Sequence, residues 1–98
     1  GRIGNSAYAC AKSGVWMLTR VLSEELWEDG ISVNELIPGP VNTPGAKLSW
    51  SQEKNPVNAI GSEWVKEPED VVPLALFMAT QPNTGSTAQT FSMMRRDL

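Results

Sequence analysis

Histidine is absent from this chain of 98 residues, and cysteine occurs once, at Cys10. A single cysteine cannot close an internal disulfide, and the common zinc sites need several Cys and His ligands at short spacings. The sequence therefore predicts neither a disulfide framework nor a metal site of that kind. Cys10 is interpreted as a small packed residue or an idle thiol.

Clusters of basic residues and long apolar runs are also missing. The formal net charge is −3, with 8 Lys and Arg against 11 Asp and Glu, whereas nucleic-acid binding requires cations that neutralise phosphates. No apolar stretch approaches the ~20 residues of a membrane span, and no signal peptide is recognisable. These absences argue against nucleic acid and membrane as partners and favour a cytoplasmic protein. With 41% hydrophobic residues, residues 1–98 are expected to form one small domain.

The most informative residues present are Tyr8 and Lys12. A Tyr-x-x-x-Lys spacing on a helix places a phenol and an ammonium one turn apart on the same face. A free phenol has a pKa near 10, and a cation about 4 Å away stabilises a phenolate by up to ~4 kcal/mol at an effective dielectric constant of ~20. The spacing therefore suits a tyrosine that exchanges its proton in general acid–base catalysis. Tyrosine and lysine four residues apart also occur by chance, so the pair alone is weak support.

The segments that follow the pair are predicted to alternate between helix and strand. A first helix is expected over about 9–29, ending at Gly30, with a core-facing stripe at Ala11, Val15, Leu18, Leu22 and Leu26. A strand follows over 31–37, and then the loop Pro38-Gly39-Pro40-Val41-Asn42-Thr43. A second helix over about 69–80, with Pro73 in its first turn and almost no polar face, is expected to be deeply packed. A last strand over 88–93 completes the order.

This order of motifs resembles the C-terminal half of the short-chain dehydrogenase/reductase family. Four motifs support the resemblance: Tyr8-x-x-x-Lys12, the Pro38–Thr43 loop after a strand with Val33-Asn34, Pro68-Glu69-Asp70 before a helix, and the closing 84–91 segment. The resemblance covers nearly the whole chain. It implies an α/β fold: a partial Rossmann-like, doubly wound arrangement with the order helix–strand–loop–helix–strand and two parallel strands.

The resemblance also implies roles for six residues. Tyr8 would protonate a developing alkoxide, or deprotonate an alcohol in the reverse direction. Lys12 would favour the phenolate and hold the nicotinamide ribose. The loop residues that would lie along the nicotinamide and its neighbouring phosphate are Pro38, Gly39, Val41 and Thr43. Both Tyr8 and Lys12 would thus contact the cofactor, which in this family is NAD or NADP, while the substrate would be a small carbonyl compound or alcohol.

Other residues expected of such a site are not in the chain. Only seven residues precede Tyr8, so no complete strand–helix–strand unit of about 30 residues comes before it. None of the 8 glycines lies in a G-x-x-x-G-x-G or G-x-G-x-x-G pattern. Ser6 is too near Tyr8 to be the family's catalytic serine and is interpreted as a loop or helix-cap residue. We therefore expect that this chain alone binds no dinucleotide and is inactive.

Two further segments bear on partners and substrate. Trp16 and Trp27 lie on a second apolar stripe of the first helix, which either covers the sheet or contacts another subunit. We expect a homo-oligomer formed through helix 9–29 and the C-terminal helix and strand. Residues 45–66 are expected to be a substrate loop with one or two short helical turns. Its tryptophans would line a pocket or belong to the core.

Two hypotheses of different classes remain open at this level. The first is the catalytic and substrate portion of an NAD(P)-dependent oxidoreductase that transfers hydride between alcohol and ketone. The second is a non-catalytic remnant that associates with copies of itself as a structural or interaction module.

Overall fold

The computed structural model describes residues 4–45 and 65–94. Its elements are helix α1 (Ser6–Glu25), a 3₁₀ turn (Trp27–Asp29), strand β1 (Glu35–Ile37), helix α2 (Pro68–Ala79) and strand β2 (Thr90–Ser92). The two strands form one parallel sheet, which confirms the predicted partial Rossmann-like α/β architecture. Most of the predicted substrate loop, 46–64, lies outside the described residues.

The chain divides into two compact units, and each is described by itself. The first contains Gly1–Glu35 and Gln81–Phe91, and the second contains Leu36–Thr80 and Ser92–Leu98. Both strands run from the first unit into the second. In the first unit the backbone N–H of Glu35 donates to Gln89 (2.9 Å), and in the second that of Met93 donates to Ile37 (2.8 Å).

Helix α1 begins earlier than the predicted residue 9 and ends at Glu25, and the 3₁₀ turn after it carries the helical segment to the predicted end at Gly30. Ser6 is its first helical residue, and Asn5 precedes it without a side-chain capping hydrogen bond. After Glu25 the chain forms the 3₁₀ turn, and the helical segment ends at Gly30, whose φ of 71° is left-handed. Glycine is the residue that adopts this conformation at a helix end without a steric penalty.

The buried face of α1 differs from the predicted one. Val15 and Leu18 of the expected core stripe are 47% and 53% exposed, whereas Thr19 and Ser23 are buried. Both hydroxyls donate to carbonyls within the helix, Thr19 to Val15 and Ser23 to Arg20, so their burial leaves no hydroxyl donor unpaired. The most buried residues are therefore rotated by roughly 80° from the centre of the predicted stripe, of which only Leu22 and Leu26 are half-buried.

Helix α2 begins with a reciprocal cap. The Glu67 side chain accepts from the N–H of Asp70, and the Asp70 carboxylate accepts from the N–H of Glu67 at 2.9 Å. Pro68 occupies the first turn, where a missing N–H costs nothing. Pro73 lies inside the helix and not in its first turn as predicted, so the fourth carbonyl before it receives no helical hydrogen bond.

The expected deep packing of α2 is not found in the described residues. Val72, Leu76 and Phe77 are 58%, 60% and 51% exposed, and no apolar side chain of the described chain is buried. The physical reason is the small number of layers. Two strands offer one narrow surface, whereas parallel sheets normally have helices over both faces.

Ala88 has a left-handed backbone with a φ of 60°. Its N–H donates to Val33 at 2.8 Å, and the Asn34 side chain bridges the carbonyl of Ser86 and the N–H of Gln89. These bonds hold a conformation that costs an L-residue roughly 1–2 kcal/mol.

We expect Ala88→Gly to raise the free energy of unfolding by about 0.5–1 kcal/mol, because the relief of strain exceeds glycine's added unfolded-state entropy. Urea denaturation provides the measurement. Ala79→Gly, in the last turn of α2, is the control and should lower stability by up to ~1 kcal/mol. If Ala88→Gly destabilises as much as Ala79→Gly, the strain at position 88 does not exist.

Candidate active site

Tyr8 and Lys12 lie on successive turns at the N-terminal end of α1. The Lys12 Nζ is 5.6 Å from the centre of the Tyr8 ring, and the tyrosine is 63% exposed. The ammonium therefore lies over the aromatic ring, on the helix face that the four-residue spacing predicts. Both side chains are exposed, so the Tyr8 hydroxyl and the Lys12 ammonium are accessible from solution.

The pair points from the same side of α1 as the buried hydroxyl residues. Thr19 follows Tyr8 by eleven residues, and Ser23 follows Lys12 by eleven, which is three helical turns and only about 20° of rotation. Near its C-terminal end this face is buried, and near its N-terminal end it is open. Tyr8 and Lys12 therefore lie on the exposed N-terminal part of the helix face whose C-terminal part is buried in the first unit.

Arg20, Glu35 and Thr90 attach α1 to the two strands within the first unit. The Arg20 guanidinium donates to the Thr90 hydroxyl at 2.7 Å and lies 3.8 Å from the Glu35 carboxylate. The Thr90 hydroxyl donates to the same carboxylate at 2.9 Å. This three-residue network fixes the rotation of the helix, and with it the direction in which Tyr8 and Lys12 project.

This network was not among the features predicted from the sequence. The available signal was Glu35, an acidic residue among the apolar residues of a short strand, because an acid in that position needs a partner. Arg20 also stacks on Trp16, with its guanidinium carbon 3.9 Å from the ring centre, and donates to the Trp16 carbonyl at 2.9 Å. Stacking and ion pairing together hold the guanidinium in one orientation.

The Pro38–Thr43 loop belongs to the second unit. Gly39 adopts a φ of 71°, and a Cβ on it would come within 3.1 Å of the Met94 Cγ and 3.2 Å of the Lys66 Nζ. Val41 and Lys66 form an isolated parallel bridge, in which the N–H of Lys66 donates to Pro40 and the N–H of Asn42 donates to Lys66. The loop is therefore held by main-chain bonds to the residues just before α2.

Asn42 joins the loop to the cap of α2. Its side-chain N–H donates to the Glu67 carboxylate at 3.0 Å. Its Oδ1 is buried and has no hydrogen-bond partner among the described residues. An unsatisfied buried acceptor costs about 1–3 kcal/mol, so binding of a hydrogen-bond donor at this oxygen is favourable.

The structure places the predicted site residues in two groups. Tyr8 and Lys12 stand together in the first unit, and Pro38, Gly39, Val41 and Thr43 stand together in the second. Ser6, on the first turn of α1 and exposed, is a helical residue and not a side-chain cap. The roles of the six residues stay predictions, and so does the family-based expectation that both groups serve one cofactor.

Within residues 4–45 and 65–94 no three His, Cys, Asp or Glu side chains are grouped as metal ligands would be. No helix in those ranges has the length and apolar character needed to span a membrane. Cys10 is a free, exposed thiol, so it is not the packed residue that one of its two interpretations proposed.

Comparison with known proteins assigns the family. Residues 2–93 match the family profile described as Enoyl-(Acyl carrier protein) reductase. A short-chain dehydrogenase/reductase of Armillaria gallica is 37% identical over 90% of this chain and 37% of its own length. A 3-oxoacyl-[acyl-carrier-protein] reductase of Chlamydia pneumoniae is 35% identical over 92% of this chain and 37% of its own.

A (3R)-3-hydroxyacyl-CoA dehydrogenase of Mus musculus is also similar, with 33% identity over 91% of this chain and 36% of its own length. The chain thus spans a little over a third of the length of these relatives. The family profile nevertheless covers nearly every residue, including Tyr8, Lys12 and the Pro38–Thr43 loop. The chain belongs to the short-chain dehydrogenase/reductase family of oxidoreductases.

Proposed function

We propose that this chain is the catalytic and substrate portion of an NAD(P)-dependent oxidoreductase that interconverts an alcohol and a carbonyl compound. The observation that carries the proposal is the Tyr8–Lys12 pair on one helix face, with the Lys12 Nζ 5.6 Å from the centre of the Tyr8 ring. The open N-terminal end of that face supports it, because a substrate oxygen must come within about 2.6–3.2 Å of the proton donor.

Tyr8 exchanges the proton in this proposal. During carbonyl reduction its hydroxyl donates to the oxygen that becomes an alkoxide, and during alcohol oxidation the phenolate accepts the same proton. Lys12 lies on the next turn, with its Nζ 5.6 Å from the centre of the Tyr8 ring. Both residues are on a helix fixed by the Arg20 network, so the distance between them does not depend on a loop.

NAD or NADP would supply or accept the hydride. The residues that would hold it are Tyr8 and Lys12 at the nicotinamide ribose and the loop residues Pro38, Gly39, Val41 and Thr43 along the nicotinamide. Two observations, one in each unit, support this assignment. Lys12 offers ammonium donors to hydroxyl groups, and the buried Asn42 Oδ1 is an acceptor awaiting a donor in the same loop.

The substrate class is drawn from the relatives. Two of them are named for a 3-oxoacyl or a 3-hydroxyacyl group carried as a thioester. We propose a carbonyl or alcohol substrate of small size, of which a 3-oxoacyl thioester is the first to test. We also propose that the protein acts in the cytoplasm.

The 98-residue chain alone is expected to show no turnover with NADH or NADPH, since its sequence lacks the glycine-rich turn that seats a pyrophosphate. The measurement is a titration with each cofactor, followed through quenching of the four tryptophans and through oxidation of the reduced cofactor with a 3-oxoacyl thioester. Robust turnover that Tyr8→Phe abolishes would contradict the expected inactivity and would prove the assigned role of Tyr8.

A second candidate function, a self-associating module without turnover, rests on a different observation. The described residues expose many large apolar side chains, on α1 and its 3₁₀ turn and again on α2: Val15, Trp16, Met17, Leu18, Val21, Trp27, Val72, Leu76 and Phe77. A homo-oligomer through helix 9–29 and the C-terminal helix and strand would cover them. Sedimentation equilibrium tests this candidate, and a monodisperse monomer at high concentration would contradict it.

A further inference from the structure

The side-chain amide of Asn42 is only partly satisfied. Its Nδ2 donates to the Glu67 carboxylate at 3.0 Å, and the backbone N–H of Asn42 donates to Lys66 at 2.7 Å. Its Oδ1 is buried and accepts no hydrogen bond from any described residue. An amide oxygen can accept two such bonds, and buried polar atoms in folded proteins nearly always have at least one partner. The unpaired oxygen is therefore a local source of unfavourable free energy.

The contact with Glu67 fixes the orientation of the amide. A rotation of the amide by 180° about its last side-chain torsion would bring Oδ1 against the carboxylate, where two acceptors would face each other without a proton between them. The NH₂ group must therefore face Glu67, and Oδ1 must then point to the buried side. The oxygen reaches water only if the side chain leaves Glu67.

Two opposing contributions of similar size decide where the Asn42 side chain lies. A hydrogen bond to a carboxylate is stronger than one between neutral groups, but Glu67 is exposed, so water competes for the same acceptor. The buried Oδ1 loses its hydration without gaining a donor, and this penalty is of the same order as the gain from a charge-assisted bond. A closed state on Glu67 and an open state in water are therefore expected to be close in free energy.

The surrounding backbone does not depend on this contact. The parallel bridge between Val41 and Lys66 is formed by main-chain groups, and the cap of α2 is formed by Glu67 with Asp70. Release of the Asn42 side chain leaves both in place. The movement is thus confined to the side chain of one half-buried residue and requires no unfolding of the loop or of α2.

We propose that the Asn42 side chain is a latch between the Pro38–Thr43 loop and the cap of α2, closed on Glu67 in the structure and open in a second populated state. In the open state Oδ1 is uncovered and accepts a hydrogen bond from water or from a bound donor. The latch belongs to the loop named in the proposed function, but it exists whether or not the chain binds a dinucleotide. It also sets a condition on ligand binding, because no donor can reach Oδ1 until the latch opens.

The test measures the three-bond couplings between the Asn42 Cγ and the backbone N and C′ in the ¹³C,¹⁵N-labelled chain. These couplings report the populations of the χ1 rotamers, and a change in χ1 carries the amide away from Glu67, whereas χ2 only turns it in place. We expect values averaged between two rotamers in the wild type. Glu67→Gln keeps an acceptor but removes its charge, so the ratio of open to closed should rise at least about threefold.

Glu69→Gln is the matched control, because it makes the same change of charge in the first turn of α2 without touching the partner of Asn42. It should leave the ratio unchanged. Glu67→Asp keeps the charge and is a preferred N-cap, so the helix should persist even if Glu67→Gln does not fold. Its carboxylate is one methylene shorter, and it should open the latch as well.

Two results would overturn the latch. The first is a single closed rotamer of Asn42 in the wild type, which would mean that the unpaired oxygen is tolerated at no measurable population of an open state. The second is a ratio of open to closed that neither Glu67 variant raises above that of Glu69→Gln, which would mean that Glu67 does not hold the side chain. Averaged couplings in the wild type, together with a rise confined to the Glu67 variants, support it.

Discussion

Replacing Arg20 with methionine is expected to lower the free energy of unfolding by about 3 kcal/mol. The Glu35 side chain is only 9% exposed and faces the Arg20 guanidinium at 3.8 Å. Without Arg20 the carboxylate keeps a single described donor, the Thr90 hydroxyl. Removing one partner of a buried pair typically costs 3–5 kcal/mol, because the remaining charge is then uncompensated. In a domain whose total stability is of order 5–15 kcal/mol, this loss is large.

A double-mutant cycle in urea denaturation measures the interaction. Glu35→Gln removes the other charge, and the double variant Arg20→Met/Glu35→Gln should be more stable than the sum of the single losses indicates, since no unpaired charge is left. Arg20→Lys is the matched control and should recover only part of the stability, because lysine cannot contact both Thr90 and Glu35 with one planar group. A loss below about 1 kcal/mol in Arg20→Met would mean that the pair behaves like a solvated surface ion pair.

Gly39→Ala is expected to have the second large effect, a loss of about 2–4 kcal/mol in the stability of the second unit. The left-handed φ of 71° costs an alanine roughly 1–2 kcal/mol. Its Cβ would also meet Met94 at 3.1 Å and the Lys66 ammonium at 3.2 Å, and overpacking of this kind costs typically 1–3 kcal/mol. Amide hydrogen exchange in residues 38–43 and 66 should rise in the variant.

Gly45→Ala provides the control in the same unit. A Cβ at position 45 would meet nothing within 4 Å, and Gly45 has no left-handed φ, so its stability should change by less than about 0.5 kcal/mol. If Gly39→Ala and Gly45→Ala prove equally neutral, then neither the close approach of Lys66 nor the backbone strain at position 39 is present in solution.

Several features were predictable because they depend on local chemistry. Gly30 ends the first helical segment since glycine alone adopts the left-handed cap without a steric penalty, and the structure confirms that end. The spacing of Tyr8 and Lys12 determined their common face, because four residues are close to one helical turn. The two parallel strands followed from a strand–helix–strand order. Each of these conclusions needs only neighbours in the sequence.

Other features depend on residues far apart in the chain. The buried residues of α1 are Thr19 and Ser23, although the leucines had the better hydrophobic pattern. The partner of Glu35 is Arg20 from the preceding helix, together with Thr90, 55 residues later in the chain. No periodicity in the sequence signals such a pair.

The sequence by itself determined the family, the order of elements and the identity of the Tyr8–Lys12 pair, since each is written in short motifs whose chemistry requires particular residues. Only the tertiary structure decided which face of α1 is covered, how Arg20 fixes that helix, and that the Lys66 ammonium lies against Gly39. The physical reason is that burial and charge pairing are set by distances in space. A lysine 27 residues away in the sequence reaches Gly39 because the parallel bridge at Val41 brings the two segments together.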